Sequence, residues 1–146
     1  MSQGSKRGQT ARRHERVRRQ HSDELAEDYV EAIHELIEKS GTARVVDLTK
    51  IFGVSHVSVI RALARFEKRD LLHRCPDGGI LLTDRGVEWA IEAAERHSLV
   101  VRFLCGIGVS EGQADADAEG IEHHLSRESL EAMKAFLREK EEAEES

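Results

Sequence analysis

Three side chains that can bind a divalent cation recur at helical spacing late in the chain. The string Glu119-Gly-Ile-Glu122-His123-His124 places Glu119, Glu122 and His123 at i, i+3 and i+4, on one face of a helix. Two carboxylates at this spacing repel each other, and a cation between them would relieve that repulsion. Oxygen ligands with imidazole and no thiolate suit a hard-to-borderline ion such as Mn²⁺ or Fe²⁺. The competing interpretation is a solvated acidic face with a stray pair of histidines.

The string differs from the spacing of known hydrolytic and di-iron motifs. It has Glu119 where an inverted zincin has histidine, and it is not the Glu-x-x-His pair of ferritin-like bundles. A di-metal hydrolase using these carboxylates would also need a general base and an open coordination position facing a pocket. The sequence predicts no α/β scaffold for such a pocket, so a hydrolase stays an alternative from a different class.

Weaker candidates lie on two other predicted helices. Asp28 and Glu31 are three residues apart, but they belong to a longer acidic stripe that favours a solvated face. His97 follows Ala93 and Ala94 in an apolar stripe, where a histidine is more often a hydrogen-bonded core residue than a ligand. The residues alone therefore leave the role of all three open.

The elements that must position these side chains follow from apolar spacing and capping residues. The pattern predicts helices over about 23–39, 56–69 and 84–105, with a two-turn helix around Leu48. Ser110 opens a fifth helix to about His124, and Ser126 opens a sixth. Leu-Leu-His-Arg (71–74) and Gly-Ile-Leu-Leu (79–82) flank a Cys-Pro-Asp-Gly turn and predict a hairpin. The predicted fold class is all-α with a small β-hairpin wing.

Two short helices joined through Gly53-Val54-Ser55 and followed by a hairpin have the order of a winged helix-turn-helix. Arginine on the second helix can read guanine or hold phosphate, and serine hydroxyls can contact either. An ordinary helical hairpin with a solvated basic face is the alternative. The predicted DNA-binding residues are Ser55, His56, Val57, Ser58, Arg61 and Arg65.

The net charge of −6 over 146 residues hides a strong segregation. Residues 1–21 hold seven Lys or Arg and one Glu, whereas residues 110–146 hold four basic and 12 acidic residues. Residues 44–74, around the predicted turn, hold seven basic and three acidic residues. This distribution excludes a bulk polyanion binder and allows nucleic-acid binding at the basic patches.

Cysteine usage and hydropathy indicate a cytoplasmic protein without a membrane partner. Cys75 and Cys105 lie far apart, and no apolar stretch approaches the roughly 18 residues of a spanning helix. We expect Cys105 to be buried at a helix end and Cys75 to lie in the wing. A thiol-switched regulator that uses either cysteine is a third alternative.

Over about residues 23–135 the chain closely resembles the manganese transport regulators, a branch of the diphtheria-toxin-repressor family. The resemblance rests on Glu-Asp-Tyr-Val-Glu (27–31), Ala-Arg-Val-Val-Asp-Leu (43–48), Gly-Val-Ser (53–55), Leu-Thr-x-x-Gly (82–86), Arg-His (96–97) and Glu-Gly-Ile-Glu-His-His-Leu-Ser (119–126). It implies a homodimeric, metal-activated transcriptional regulator, and no enzyme, that binds a palindromic operator in double-stranded DNA. The predicted domains are a winged helix-turn-helix domain (22–83) and a helical metal-binding and dimerisation domain (84–146). Residues 1–21 lie before the resemblance begins, and their low apolar content predicts a basic flexible arm, disordered or loosely helical.

The resemblance also implies a binuclear manganese site with two Mn²⁺ per subunit. The matching ligands are Asp28, Glu31, His97, Glu119, Glu122 and His123. The iron-sensing branch has Met and Cys at the positions of Asp28 and Glu119, so the hard ligands here favour manganese over iron. An iron-responsive regulator of the same family is the nearest alternative.

Overall fold

The computed structural model describes residues 3–146, with side chains from Lys6 onward, and this part of the chain is mostly helical. The predicted fold class is therefore confirmed. The helices are α1 (Gln3–Ser40), α2 (Val45–Phe52), α3 (His56–Lys68), α4 (Asp84–Gly106), α5 (Glu111–Ile121) and α6 (Arg127–Glu144). Strands β1 (Leu72–Arg74) and β2 (Ile80–Leu82) form an antiparallel hairpin, and a 3₁₀ turn (Glu122–His124) follows α5. The contacts divide the chain into two compact units, residues 1–90 and 91–146.

α1 begins earlier than the apolar pattern predicts. A start near residue 23 is wrong, because the helix already runs from Gln3 without any apolar stripe in its first turns. Arg, Glu and Gln favour helix by intrinsic propensity, and an Arg19–Glu15 ion pair at 2.8 Å adds local support. Side chains 6–19 are all exposed. The flexibility of segment 1–21 stays a prediction, and its first two residues lie outside the described part.

The core of the first unit forms among α1, α2, α3 and the hairpin. The Tyr29 ring stacks on Phe52 with centroids 4.4 Å apart and meets Phe66 at 5.3 Å in a tilted geometry. Because burial of apolar surface drives this packing, one face of α3 is fixed and its other face is left to solvent. The surrounding side chains are fully or almost fully buried: Val30, Ile33, Leu48, Val59, Leu63, Leu71, Leu72 and Ile80.

The hairpin is attached to the segment that precedes α2. The Ile80 amide donates to the Ala43 carbonyl at 2.9 Å, and Arg44 Nη1 donates to the Asp77 carbonyl at 2.9 Å. The backbones of Arg44 and Gly79 also form an isolated antiparallel β-bridge. These bonds join the wing to the start of the helix-turn-helix.

α4 begins in close contact with the chain that enters the hairpin. Thr83 precedes α4, and its Oγ1 accepts from the Gly86 amide at 3.0 Å. A Cβ atom added at Gly86 would lie 2.0 Å from the Leu71 carbonyl oxygen. Only glycine therefore fits at this point without displacement of the backbone.

The second unit contains the rest of α4 together with α5 and α6. The rings of Phe103 and Phe136 meet edge to face with centroids 5.4 Å apart. Lys140 Nζ donates to the carbonyl of Gly106, the last residue of α4, at 2.7 Å. The ammonium group thus pairs a carbonyl that has no partner within the helix, and its charge is favourable at the negative end of the helix dipole. On α5, Ala114 and Ala118 are fully buried at i and i+4, and these small side chains allow close approach of the helix to its neighbours.

The expectation that Cys105 is buried is wrong, because its side chain is exposed. Cys105 lies two residues after Phe103, which is about 200° further round the helix and away from that ring contact. Cys75, in the turn of the wing, is half-buried and is also a free thiol.

Candidate metal centre and nucleic-acid interface

A group of side-chain atoms that could hold a metal ion lies within the second unit, where α4, α5 and the 3₁₀ turn come together. Among the described residues, His97, Glu119 and Glu122 each offer one ligand atom, and these atoms lie within 4.8 Å of one another. His97 Nδ1 is 2.6 Å from Glu122 Oε2 and 3.7 Å from Glu119 Oε1. One imidazole nitrogen therefore faces two carboxylates.

The change of helix type after Ile121 positions the last two predicted ligands, Glu122 and His123. The predicted fifth helix continues to His124, but α5 ends at Ile121 and a 3₁₀ turn follows. Leu125 then adopts an extended conformation, and Ser126 caps α6 by accepting from the Ser129 amide at 3.1 Å. The 3₁₀ turn thus ends α5 before the Ser126 cap, and 3₁₀ geometry is common at helix ends.

Glu122 is the buried charged residue of the described chain, with 3% of its surface exposed. Burial raises the pKa of its carboxyl group, and the imidazole of His97 opposes that rise. Burial by itself would lower the pKa of His97, but hydrogen bonds to Asp115 and Glu122 and the nearby carboxylate charge outweigh it and raise the pKa. Each group thus holds a proton more readily than in water, and a cation would have to replace it.

His123 lies on the opposite side of the same carboxylate. Its side chain is 5% exposed, and its Nε2 atom is 3.4 Å from Glu122 Oε1, while Oε2 faces His97. Glu122 is therefore flanked by an imidazole at each oxygen. Both imidazole rings therefore lie beside the carboxylate at which a cation would bind.

The chemistry of the donors fits a divalent cation of the manganese or iron type. The group consists of carboxylate oxygens and an imidazole nitrogen, which are hard-to-borderline ligands. The two cysteines lie elsewhere, in the wing and at the end of α4. A site of this composition has no thiolate to favour Zn²⁺ or Cu⁺.

The remaining predicted ligands, Asp28 and Glu31, lie in the first unit, on α1. Both are half-buried beside the buried residues Tyr29 and Val30. They are therefore not simply part of a fully solvated acidic face. Their role as metal ligands stays a prediction.

Sequence reasoning missed Asp115, which contacts the metal-binding group from behind. Its Oδ1 atom lies 2.9 Å from Nε2 of His97, the ring nitrogen that faces away from Glu122. Asp115 is four residues before Glu119, so the i, i+4 spacing was available as a signal. Nothing in the sequence indicated that His97 would come within reach.

The predicted helix-turn-helix is present in the first unit. Gly53 ends α2 in the left-handed conformation (φ 62°), and its amide donates to the Thr49 carbonyl at 2.9 Å. Ser55 caps α3 by accepting from the Ser58 amide at 3.1 Å. The capping role already occupies the Ser55 hydroxyl, which also lies 2.9 Å from the Ser58 hydroxyl.

α3 presents one polar, basic face to solvent. Arg61 and Arg65 are exposed one turn apart, and Val57 is 57% exposed beside them. Arginine side chains can donate to guanine or phosphate, and an exposed methyl group can contact thymine. Of the two alanines on α3, Ala62 is buried and Ala64 is exposed. All six predicted DNA-binding residues are exposed: Ser55, His56, Val57, Ser58, Arg61 and Arg65.

Two family models match most of the chain. Residues 23–80 match the N-terminal DNA-binding domain of the iron dependent repressors, and residues 83–145 match their metal-binding and dimerisation domain. The chain thus belongs to the iron-dependent, or diphtheria-toxin, repressor family of transcriptional regulators.

Within that family its relatives are MntR regulators, as the sequence resemblance predicts. The chain is 44% identical over 120 residues to the transcriptional regulator MntR of Escherichia coli O6:H1, covering 82% of this chain and 77% of the relative. It is 38% identical over 107 residues to the HTH-type transcriptional regulator MntR of Listeria welshimeri, covering 73% and 75% of the two chains. The resemblance to the MntR branch is confirmed.

The structure of the manganese regulator SloR shares the fold, with a TM-score of 0.67 and 26% identity. The match covers 77% of this chain and 53% of SloR, so the chain spans about half the length of that protein. No helix in the described part of the chain has the length and apolar character needed to cross a membrane.

Proposed function

We propose that this chain is a manganese-activated repressor that binds operator DNA as a homodimer. The observation that carries the proposal is the group of His97, Glu119 and Glu122, whose atoms lie within 4.8 Å of one another without a thiolate. The other unit of the same chain carries a helix-turn-helix with an exposed basic face. A repressor needs both parts, and the relatives named MntR support their combination.

The proposed ligands come from both units of the chain. They are Asp28, Glu31, His97, Glu119, Glu122 and His123, and we infer two Mn²⁺ per subunit. Four of these ligands are carboxylates, so two divalent cations would bring the formal charge of these four to zero. This balance supports a binuclear site over a mononuclear one.

The proposed activation depends on how these residues act with and without metal. When bound, the cations would supply positive charge that neutralises the negative charge of the four carboxylates. Without it, repulsion would disfavour any arrangement that brought Asp28 and Glu31 beside the carboxylates of the second unit. Binding of the same cations by all of these ligands would favour one arrangement of the two recognition helices, the two copies of α3 in the dimer. Linkage then requires that operator DNA tightens metal binding by the same factor.

The proposed DNA contacts lie at the start of α3 and along its exposed face. We infer that Ser55, His56, Val57, Ser58, Arg61 and Arg65 enter the major groove of a palindromic operator. The two-fold symmetry of a dimer accounts for the palindrome. We further propose residues 1–21 as a basic arm, 22–83 as the DNA-binding domain, 84–146 as the metal-binding and dimerisation domain, and the cytoplasm as the location.

The proposal is tested by selecting DNA from a random library with the purified protein and MnCl₂, and then titrating the selected site by fluorescence anisotropy. We expect binding with Mn²⁺ to be at least tenfold tighter than with EDTA, because activation and DNA binding are linked. Titrations with Fe²⁺ under anaerobic conditions and with Zn²⁺ identify the preferred metal. Equal binding with EDTA would overturn metal activation, and stronger activation by Fe²⁺ would replace manganese by iron.

Two further arms address the alternatives from other classes. A protein in which both Cys75 and Cys105 are replaced by serine should keep its Mn²⁺-dependent DNA binding, which removes the thiol-switched regulator. Release of phosphate or amine from generic hydrolase substrates with Mn²⁺ should stay at the level of the buffer. Turnover that Glu122→Gln abolishes would instead favour the di-metal hydrolase.

A further inference from the structure

We propose that Asp115 is a positioning residue that fixes the orientation and tautomer of His97. It does so by accepting a hydrogen bond from Nε2, so that Nδ1 is the nitrogen presented to a cation held by the nearby carboxylates. This inference rests on the proposed function, since it assigns a further residue to the same site. Asp115 is not among the ligands inferred above.

The geometry separates the two nitrogens of the ring. Nε2 lies 2.9 Å from Asp115 Oδ1, whereas Nδ1 lies 2.6 Å from Glu122 Oε2 and 3.7 Å from Glu119 Oε1. An ionised carboxylate can only accept a hydrogen bond, so Nε2 must carry hydrogen for this contact to form. Nδ1 faces the Glu122 carboxylate in the same way, so in metal-free protein both ring nitrogens lie beside an acceptor. A cation that took the place of hydrogen at Nδ1 would leave Nε2 as the nitrogen that carries hydrogen, and Asp115 accepts from it.

The same helix supplies both sides of this arrangement. Asp115 and Glu119 are one turn apart on α5, so their side chains project toward His97 from a common face. The ring is held between a front pair of carboxylates and a rear carboxylate. Carboxylate–histidine–metal triads of this kind orient the ring and make it a stronger ligand, and their loss weakens metal binding by about 10- to 100-fold.

The degree of exposure sets the expected size of the effect. The side chain of Asp115 is 67% exposed, whereas that of His97 is 22% exposed. Water screens the contact and can replace part of it when the carboxylate is removed. We therefore expect the lower end of this range, about a tenfold loss of Mn²⁺ affinity for Asp115→Ala.

Asp117 on the same helix provides a matched control. It carries the same charge two residues further along, and its Oδ1 accepts from Gln113 Nε2 at 2.7 Å. Asp117→Ala therefore changes the net charge and the helix propensity as Asp115→Ala does. Asp115→Asn separates charge from hydrogen bonding, because asparagine keeps an oxygen that can accept from Nε2.

The first readout is Mn²⁺ affinity in the absence of DNA, measured by electron paramagnetic resonance of the free ion. Asp115→Ala should weaken binding about tenfold, Asp117→Ala by less than twofold, and Asp115→Asn by an intermediate factor. Equal weakening by the two alanine substitutions would show an effect of net charge alone and would overturn the positioning role. No weakening by Asp115→Ala would overturn it as well.

The second readout is the tautomer of His97 in metal-free protein, read from long-range proton–nitrogen correlation spectra at a pH where the ring is neutral. The comparison is made in a Glu122→Gln background, because the glutamine amide can donate to or accept from Nδ1 and therefore selects neither tautomer. In that background the parent and Asp117→Ala should show hydrogen on Nε2, and Asp115→Ala should show a mixture of both tautomers. An unchanged tautomer in Asp115→Ala would contradict the proposal. Because this measurement needs no metal, it decides the role of Asp115 even if wild type fails to bind Mn²⁺, an outcome that would overturn the proposed function instead.

Discussion

His97 Nδ1 lies 2.6 Å from Oε2 of Glu122, a carboxylate with 3% of its surface exposed. The contact is short enough for a strong hydrogen bond, in which one hydrogen lies between the ring nitrogen and the carboxylate oxygen. The same proton occupies the position at which the ring would bind a cation. Metal binding at this pair must therefore release a proton, and the two groups cannot serve hydrogen bond and metal at once.

Replacement of Glu122 by glutamine should separate folding from metal binding. The amide keeps the size of the side chain and removes the negative charge, so the pocket stays filled while a carboxylate ligand is lost. We expect Mn²⁺ affinity to fall by more than about 100-fold, since loss of a ligand exceeds loss of a supporting residue. The increase in melting temperature on addition of MnCl₂, which follows from ligand linkage, should then disappear.

The matched control is Glu139→Gln, the same chemical change at an exposed position of α6. It should keep the increase in melting temperature with MnCl₂. Thermal unfolding with MnCl₂ and with EDTA compares both variants with wild type. A normal Mn²⁺-dependent increase in Glu122→Gln would show that Glu122 is no ligand.

Replacement of Glu119 by cysteine should change the metal preference. A thiolate is a softer ligand than a carboxylate, so the variant should gain affinity for Zn²⁺ and Fe²⁺ relative to Mn²⁺. Competition titrations with each metal measure the ratio of affinities, with wild type as the control because it carries the same exposed Cys105. An unchanged ratio would argue that Glu119 lies outside the coordination sphere.

Replacement of Arg61 by alanine should weaken binding to the selected DNA site. Arg61 is exposed on the polar face of α3. A lost base contact costs about 1–3 kcal/mol and relaxes specificity at one base pair, whereas a lost phosphate contact lowers the salt slope by about one. Anisotropy titrations at several salt concentrations distinguish these two roles. Arg138→Ala, an exposed substitution on α6, is the control and should bind as wild type does.

Replacement of Gly86 by alanine should destabilise the first unit. The new Cβ atom would lie 2.0 Å from the Leu71 carbonyl oxygen, so the start of α4 or the entry to the hairpin must move. We expect a loss of about 1–3 kcal/mol, the usual cost of overpacking. Urea unfolding followed by Trp89 fluorescence and far-ultraviolet circular dichroism measures it.

Gly112→Ala on α5 tests whether this cost comes from the close approach. No atom lies within 4 Å of a Cβ added at Gly112. Alanine should therefore stabilise the helix there by about 0.5 kcal/mol, through propensity alone. Similar destabilisation by both substitutions would refute the steric explanation.

Local signals in the sequence predicted the elements that begin or end at capping residues. Ser55 and Ser126 cap α3 and α6, and Gly53 turns the chain through a left-handed conformation after α2. These features depend on a few neighbouring residues, so the sequence displays them directly. The start of α1 was missed because helix propensity without an apolar stripe leaves a weaker pattern.

The candidate site was predictable where its residues share one helix. Glu119 and Glu122 were found by spacing, whereas His97 by itself favoured a core histidine and gained its role from the resemblance. Asp115 was missed because its contact with His97 joins residues 18 apart in the chain. Such a contact depends on how α4 and α5 pack, which spacing within one helix cannot indicate.

α1 is one continuous helix, but its exposed first turns and its packed later turns are stabilised independently of each other. From Lys6 to Arg19 every side chain is exposed, so opening of these turns exposes no buried apolar surface and follows a local helix–coil equilibrium. From Ala26 onward, opening would also expose Val30 and Ile33, which are fully buried. Amide hydrogens should therefore exchange rapidly before about residue 22 and slowly after Ala26. The turns from Lys6 to Arg19 can therefore unfold and re-form without changing the free energy of unfolding of the helix-turn-helix.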